Sequence, residues 1–221
     1  MINAYDFDET IYDGDSSVDF YFYCLKRNKK VLLQMPIQAW GALLYILKIT
    51  DKTRMKERIF SYLKRIDDVD SYVDDFWKSH KDNIKKWYLD QKEDTDVIIS
   101  ASPEFLLKPL EKEMNFKVIA SCVDTKTGRF TSKNCHDYEK IKRYEELFDE
   151  KVKKFYTDSI KADKAMLEYA EEGYVVKGNE ITKYLRKKWL YEKLFKETKN
   201  RVLFINRLYV FFNTLRSISK L

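Results

Sequence analysis

The sequence predicts an α/β fold in which a parallel sheet is flanked by helices and a long helical segment is inserted near the start of the chain. The 221 residues include only 5 glycines and 3 prolines, which disfavours all-β folds dense in turns. Beyond about residue 96, apolar strands alternate with amphipathic helical segments, and this order builds a parallel sheet. A charged fraction of 35% and an aromatic fraction of 15% exclude a mostly membrane-embedded and a disordered protein.

The first strand and the segment after it differ in the period of their apolar residues. Residues 2–7 form a short apolar run that ends in acids, which is typical of a buried strand. Across residues 16–92, apolar side chains such as Phe20, Leu63 and Phe76 recur at helical spacing. We therefore expect a bundle of about four helices in this segment.

Within that segment, residues 31–47 carry no charge. Their length is at the lower limit of a membrane span, and Pro36 with two glutamines interrupts the run. We expect a buried helix of the bundle and not a membrane crossing.

The second half of the chain alternates between strand and helix. Strands are predicted at 96–100, 116–120, 152–157 and 174–176, helices at 104–113, 137–148 and 163–171, and a hairpin turn at Thr127-Gly128. We therefore expect a core made of residues 1–15 and 93–200, a helical domain at 16–92, and a separate C-terminal helix at 201–221.

The basic charge of the protein belongs to its C-terminus. The formal charge is +6, but residues 183–221 contain eleven basic and two acidic residues, which leaves residues 1–182 at −3. Residues 201–221 carry an apolar stripe and only basic charges: the stripe is Phe204, Leu208, Phe211, Leu215 and Ile218, and the charges are Arg201, Arg207, Arg216 and Lys220. Such a helix either packs on its own core or on a second copy, giving a homodimer, or lies on an anionic membrane surface. Nucleic acid is not expected as a partner, because the rest of the chain is acidic and has no binding motif.

Four polar clusters follow predicted strands or begin helices: residues 6–10, residues 100–102, Lys140 and residues 158–163. Ligands of parallel α/β sheets bind at the carboxyl ends of the strands, so we expect these clusters to converge there.

The chemistry of these clusters indicates phosphoryl transfer. Asp6, Asp8 and Asp158 would form an acidic pocket suited to Mg²⁺. A hydroxyl group and a lysine beside that cation would offset the charge on phosphoryl oxygens.

The clusters together resemble the four motifs of the haloacid dehalogenase superfamily. D-F-D-E-T at residues 6–10, a hydrophobic strand that ends in Ser100, Lys140, and D-S-x-x-x-D at residues 158–163 follow the family order and spacing. The resemblance covers about residues 1–185, and the helical insert is similar to the cap of the phosphoserine-phosphatase-like subclass. It implies a Rossmann-like core and hydrolysis of phosphate monoesters.

The resemblance assigns the central roles to three aspartates. It makes Asp6 the nucleophile that forms an aspartyl-phosphate. Asp8 would protonate the leaving oxygen and then activate water. Mg²⁺ would be held by Asp6, the backbone carbonyl of Asp8, and Asp158.

The remaining roles also follow from the resemblance. Ser100 would contact a phosphoryl oxygen, with Ser102 as the alternative contact. Lys140 would neutralise the phosphoryl group and the nucleophile, and Asp163 would either support the metal site or orient the lysine. Ala101 and Ser102 stand where phosphoserine phosphatases usually have two glycines, so the small phosphorylated substrate remains unidentified.

Two alternatives to a phosphatase of soluble esters stay open. Residues 31–47, together with the aromatic-rich residues 20–23, resemble the caps of phosphatidylglycerophosphate phosphatases. A membrane-surface phosphatase of such a lipid phosphate is therefore one alternative. The other is a non-catalytic binding module on the same fold, against which the intact Asp6 and Asp8 argue.

The cysteines and histidines indicate neither a zinc site nor a serine hydrolase. Cys24, Cys122 and Cys135 lack C-x-x-C spacing. His80 and His136 are the only histidines, and neither belongs to a visible triad signature. We expect a reduced, cytoplasmic protein, because the number of cysteines is odd and the charged N-terminal segment does not resemble a signal peptide. If the C-terminal helix binds lipid, the protein would be peripheral to the inner face of the membrane.

Overall fold

The structure, a computed structural model, describes residues 2–185. The chain up to Lys183 forms one compact unit. The predicted helix at 201–221 and the predicted boundary at residue 200 lie outside the described residues.

A six-stranded sheet in the order β3-β2-β1-β4-β5-β6 forms the centre of this unit. Its strands are Ile2–Tyr5 (β1), Val97–Pro103 (β2), Lys117–Ser121 (β3), Val152–Thr157 (β4), Glu172–Lys177 (β5) and Glu180–Lys183 (β6). The first five strands pair in parallel, and β1 lies between β2 and β4, with Ala4 opposite both Val97 and Phe155. The predicted α/β fold class is confirmed.

The helices fall into two groups. Ser16–Arg27 (α1), Met35–Ile46 (α2), Lys52–Ile59 (α3), Val69–His80 (α4) and Lys86–Leu89 (α5) lie between β1 and β2 in the sequence, joined in part by 3₁₀ turns at Lys29–Gln34, Phe60–Arg65 and Lys81–Asn83. We call residues 16–89 the helical insert. Glu104–Met114 (α6), Tyr138–Glu145 (α7) and Lys164–Tyr169 (α8) follow β2, β3 and β4, as parallel connections require.

Aspartates fix the starts of three insert helices. The side chain of Asp15 accepts hydrogen bonds from the N–H groups of Ser17 and Val18 at the start of α1. Asp51 and Asp68 do the same at the starts of α3 and α4. Each aspartate satisfies N–H groups that have no partner within the helix.

Aromatic side chains join the insert to the sheet. Tyr5 of β1 stacks on Tyr156 of β4 with ring centroids 4.8 Å apart and meets Tyr88 of α5 edge-on at 4.9 Å. Phe7 lies edge-on to Trp77 of α4 at 6.0 Å. These rings are buried. The segment that carries the first polar cluster therefore packs against β4 of the sheet and against α4 and α5 of the insert.

One strand was not predicted, and one expectation about burial is wrong. The strand at 174–176 is followed by a further strand, β6, which pairs antiparallel with β5; its side chains are all exposed, so it lacks the apolar pattern that reveals a strand. Residues 31–47 do contain a helix, α2, but it is not buried: Trp40 and Ile46 are 57% and 74% exposed. In the described part of the chain, no helix combines the length and the hydrophobicity needed to cross a membrane.

Gly128 allows a core loop to approach the insert closely. Its φ is +71°, and a Cβ atom there would lie 2.3 Å from the carbonyl oxygen of Phe60. We expect Gly128→Ala to lower the free energy of unfolding by about 2 to 5 kcal/mol, from the left-handed backbone and the overpacking together. Gly178 has a φ of +60° but nothing within 4 Å, so Gly178→Ala should cost only about 1 to 2 kcal/mol. Urea unfolding of both variants measures the difference, and equal losses would show that the contact with Phe60 is unimportant.

Candidate active site

A tight turn directly after β1 carries the first polar cluster. The N–H of Asp6 donates to the carbonyl of Tyr156 at 2.8 Å and so extends the pairing of β1 with β4. Beyond it, the N–H groups of three residues donate to the single carbonyl of Phe7; they are Thr10, Ile11 and Tyr12, at 3.3, 3.0 and 3.0 Å. The turn therefore fixes Asp6 and Asp8 at the carboxyl edge of the sheet.

Asp6 belongs to a buried chain of charges. The ammonium group of Lys140, on α7, donates to Oδ1 of Asp6 at 2.7 Å and pairs with Oδ1 of Asp163 at 2.7 Å. The hydroxyl of Thr157 donates to the other oxygen of Asp163 at 2.7 Å. Lys140 is only 2% exposed, so the two carboxylates compensate its charge in place of water.

The electrostatic interactions among Asp6, Lys140 and Asp163 favour the charged form of Lys140. Desolvation lowers the pKa of Lys140, but the carboxylates of Asp163 and Asp6 outweigh it and hold that pKa above its usual value. Burial raises the pKa of Asp6, although the charge of Lys140 opposes this. Oδ2 of Asp6 takes no part in the contact with Lys140, and Asp6 lines a cavity. That oxygen is therefore the one suited to act as a nucleophile.

Asp8 has a different environment. Its Oδ1 accepts the N–H of Ser16 at 2.7 Å, at the start of α1, and its Oδ2 accepts the hydroxyl of Ser102. Burial, with a smaller contribution from the negative charge of Asp15, raises the pKa of Asp8 to about 6. A carboxyl group with a pKa near neutrality is suited to both giving and taking a proton.

The two serines of the second cluster have different partners. Oγ of Ser100, which is buried, accepts the N–H of Ser102 at 3.0 Å. Oγ of Ser102 contacts Asp8 and also Oγ of Ser17, at 3.2 Å. The hydroxyl of Ser102 thus donates its proton to Asp8. The hydroxyl of Ser100 accepts one hydrogen bond, and its own proton can be donated to another acceptor.

Asp158 lies at the end of β4, the strand next to β1. Its N–H donates to the hydroxyl of Thr10 at 2.8 Å, and its carbonyl accepts the ammonium of Lys177 at 2.5 Å. Burial raises the pKa of its carboxyl group, and Lys177 opposes the rise. Within the described residues, no hydrogen bond or ion pair joins Asp158 to Asp6.

The structure therefore brings two groups of predicted residues into direct contact. One consists of Asp6, Lys140 and Asp163, and the other of Asp8 and Ser102. Ser100 reaches the second group through its bond with Ser102. Asp158 follows β4, the strand next to β1.

A cavity of about 690 Å³ opens beside these residues. Asp6, Asp8, Ser100 and Ser102 line it from the core. The insert supplies mostly apolar side chains, which include Val18, Tyr21, Phe22, Met35, Met55, Ile59 and Phe60. The polar groups that can act on a phosphate thus open onto a largely apolar chamber.

Three residues at the site have no role in the sequence prediction. Ser17 and Lys56 line the cavity, and Thr10 holds the N–H of Asp158. Lys56 donates to the carbonyl of Ala101 at 3.1 Å, and burial, then the charge of Lys52, lowers its pKa to about 8. Thr10 belongs to the D-F-D-E-T motif, which is a signal for it in the sequence. Lys56 lies in a run of charged residues and has no distinguishing signal.

The donor set can be tested for its fit to Mg²⁺. Residues 2–185 contain no cluster of three or more His, Cys, Asp or Glu side chains that could hold a metal ion. The implied ligands are only two carboxylates, of Asp6 and Asp158, and the backbone carbonyl of Asp8, all of them the hard oxygens that Mg²⁺ prefers. Burial raises the pKa of both carboxyl groups, and a bound cation would favour their ionised forms. In the chemistry of their donor atoms, these residues fit the ion.

Comparisons with known proteins agree with this geometry. A family model described as haloacid dehalogenase-like hydrolase matches residues 4–168. No curated protein sequence matches the chain.

Three solved structures have a similar fold. A Bordetella pertussis Tohama I protein of unknown function is 15% identical, with a TM-score of 0.62 over 78% of this chain and 88% of that one. A HAD family hydrolase from Salmonella enterica serovar Typhi is 14% identical, with a TM-score of 0.55 over 76% and 60%. A probable phosphoserine phosphatase from Vibrio cholerae, in unliganded form, is 11% identical, with a TM-score of 0.54 over 78% and 55%.

The family match spans every predicted cluster, from Asp6 to Asp163. At this low identity the three structures establish the fold, and the family model establishes the relationship in sequence. The expectation of an enzyme of the haloacid dehalogenase type is confirmed. The chain belongs to the haloacid dehalogenase-like hydrolase family.

Proposed function

We propose that the chain is a Mg²⁺-dependent phosphatase that hydrolyses a phosphate monoester through an aspartyl-phosphate on Asp6. The contact of the buried Lys140 with Asp6, which lines the same cavity as Asp8, carries this proposal. In this arrangement the nucleophile, Asp6, is paired with the fixed positive charge of Lys140. A second carboxyl group, that of Asp8, follows two residues later in the sequence.

In the first step, Oδ2 of Asp6 attacks phosphorus. The bond between this oxygen and phosphorus forms as the bond from phosphorus to the ester oxygen breaks. The leaving oxygen keeps the electron pair and takes the proton of Asp8. Lys140 stays within reach of Asp6 and of the phosphoryl oxygens throughout, which offsets their negative charge.

In the second step, the Asp8 carboxylate takes a proton from a water molecule, and the water oxygen attacks phosphorus. The bond from phosphorus to Asp6 breaks, and inorganic phosphate leaves. Ser100 is the hydroxyl we assign to a phosphoryl oxygen, because its proton is not committed. Ser102 remains the alternative if Asp8 is protonated and releases it.

Two further groups complete the site. Asp6, Asp158 and the carbonyl of Asp8 would hold Mg²⁺, which when bound supplies positive charge beside the phosphoryl group. Asp163 orients Lys140, since its other oxygen is fixed by Thr157. Of the two roles that the sequence leaves open for Asp163, we assign it that of orienting the lysine.

The lining of the cavity favours a second candidate, a phosphatase of a lipid phosphate. The insert contributes apolar and aromatic side chains such as Phe22, Met35 and Met55, which would contact the acyl or alkyl body of a substrate. A lipid such as phosphatidylglycerophosphate has this chemistry.

Phosphate release from a panel of esters tests both candidates. The panel should hold polar esters, such as phosphoserine and glycerol phosphate, and apolar ones, such as short-chain phosphatidic acid and phosphatidylglycerophosphate in detergent. We expect Mg²⁺-dependent release that EDTA stops and added Mg²⁺ restores. Preference for polar esters supports the first candidate, and preference for apolar esters supports the second. Release in excess chelator, or none from any ester, would contradict the proposal.

Asp158→Asn should raise the Mg²⁺ concentration that gives half-maximal activity by at least about tenfold, because a carboxylate ligand becomes a neutral amide. Titration of Mg²⁺ against phosphate release measures this change. Asp149→Asn makes the same substitution at an exposed position and should leave the titration unchanged. Identical titrations for the two variants would remove Asp158 from the metal site.

A further inference from the structure

The helical insert exposes a continuous run of apolar side chains around α2. Ten large apolar residues between positions 32 and 49 are exposed: Leu32, Leu33, Met35, Ile37, Trp40, Leu43, Tyr45, Ile46, Leu47 and Ile49. We call these ten residues the α2 surface. Exposed apolar patches of this kind mark interaction sites in proteins.

A narrow face of α2 attaches it to the rest of the insert. Gln38 accepts the hydroxyl of Tyr21 at 3.0 Å and donates to the carbonyl of Ile59 at 2.9 Å. At Gly41 the helix approaches α3 so closely that a Cβ would lie 2.8 Å from the side chain of Arg58. These contacts use polar bonds and a glycine, and the ten large apolar residues of the α2 surface remain exposed beside them.

The charges around this surface select an anionic occupant. Residues 26–56 contain eight basic residues and one acidic residue. A second copy of the chain would bring the same basic residues together, and residues 183–221, with eleven basic and two acidic residues, are also positively charged. Like charges oppose both contacts. A partner with apolar and negatively charged parts fits both features of the surface.

We propose that the α2 surface docks on an anionic lipid bilayer. The leucine and isoleucine side chains would enter the boundary between headgroups and acyl chains. Trp40 and Tyr45 belong to the types that favour this boundary. Lys29 and Lys30, exposed just before the surface, would meet anionic headgroups. The inference does not depend on the reaction of Asp6, because it concerns where the protein binds.

This docking would also affect the cavity. Met35, Ala39 and Ala42 of α2 line it, so the helix that contacts the bilayer also forms a wall of the site. An apolar ester would then leave the membrane beside residues that can contact its body. A polar ester would gain nothing from docking.

Co-sedimentation of the full chain with vesicles tests the proposal. The vesicles are phosphatidylcholine alone, or phosphatidylcholine mixed with phosphatidylglycerol. The double variant W40E/I46E places two carboxylates on the surface at positions that do not line the cavity. Leu147, 57% exposed and outside the surface, gives the matched control Leu147→Glu. We expect the wild type and Leu147→Glu to bind the mixed vesicles and the double variant to bind at least about tenfold more weakly.

A second, milder variant keeps the test decisive if the double variant does not fold. Replacing Lys29 and Lys30 with glutamine should weaken binding to mixed vesicles and reduce its salt dependence. Phosphate release from a soluble ester should remain at the wild-type level in every variant. Failure of the wild type to bind mixed vesicles, or wild-type binding by W40E/I46E, overturns the proposal. So does a dimer that W40E/I46E converts to a monomer without lipid, because the occupant is then a second copy.

Discussion

Asp6→Asn is expected to lower the rate of phosphate release by about three orders of magnitude or more, whichever ester the protein accepts. The amide keeps the size of the side chain but has no negative charge with which to attack phosphorus. The variant should still fold, because Lys140 keeps its ion pair with Asp163 at 2.7 Å. Loss of activity in a folded protein would therefore report on the chemical step.

The control for this prediction lies in the same turn. Asp13 is exposed and does not line the cavity, so Asp13→Asn makes the same chemical change away from the site. Initial rates should show full activity for Asp13→Asn, and thermal unfolding should show that both variants are folded. In the wild type alone, acid quenching should trap a phosphoryl group that hydroxylamine releases, as an acyl phosphate requires. Activity of Asp6→Asn within a few fold of the wild type would remove Asp6 from the mechanism.

The central part of the fold, and the proximity of most candidate site residues, could be predicted because each depends on a local pattern. An apolar run that ends in Asp6, and a second that ends in Ser100, indicate buried strands with polar residues at their carboxyl ends. In a parallel sheet those ends share one edge. Strand pairing therefore explains why residues separated by more than 130 positions, such as Asp6 and Lys140, lie 2.7 Å apart.

The wrong or missing predictions concern features without a local pattern. Nothing in residues 31–47 distinguishes a buried helix from one exposed to a partner, because both are apolar. The bond between Ser102 and Asp8 depends on the path of the chain after β2 and on the position of the turn after β1. The position of Lys56 against Ala101 depends on how α3 sits on the core. Each is set by tertiary packing and not by sequence period.

Lys140→Met should be the most destabilising single change at the site. Lys140 is 2% exposed and lies 2.7 Å from both Asp6 and Asp163, so its removal leaves two buried carboxylates without a cation. Breaking one side of a buried ion pair costs about 3 to 5 kcal/mol. For a chain of this size the melting temperature should fall by about 6 to 20 °C. Phosphate release should also be lost, because the fixed positive charge beside Asp6, which would offset the charge of the phosphoryl group together with Mg²⁺, is then absent.

Lys142→Met provides the matched control on the same helix. Lys142 is 66% exposed and lies 3.7 Å from Glu146, an exposed pair worth less than about 1 kcal/mol. Its melting temperature and activity should stay close to those of the wild type. If Lys140→Met were equally stable and active, the lysine would not be the charge that the two carboxylates require.

A double variant separates the role of Lys140 in stability from its role in catalysis. When Asp163→Asn is added to Lys140→Met, one of the two uncompensated carboxylates is removed. The repulsion and part of the desolvation cost disappear with it. We therefore expect the double variant to melt at a higher temperature than Lys140→Met while remaining inactive, because the positive charge beside Asp6 is still absent. If the double variant recovered activity together with stability, Lys140 would serve only to stabilise the fold. If it melted at or below the melting temperature of Lys140→Met, repulsion between the two carboxylates would not be the source of the instability.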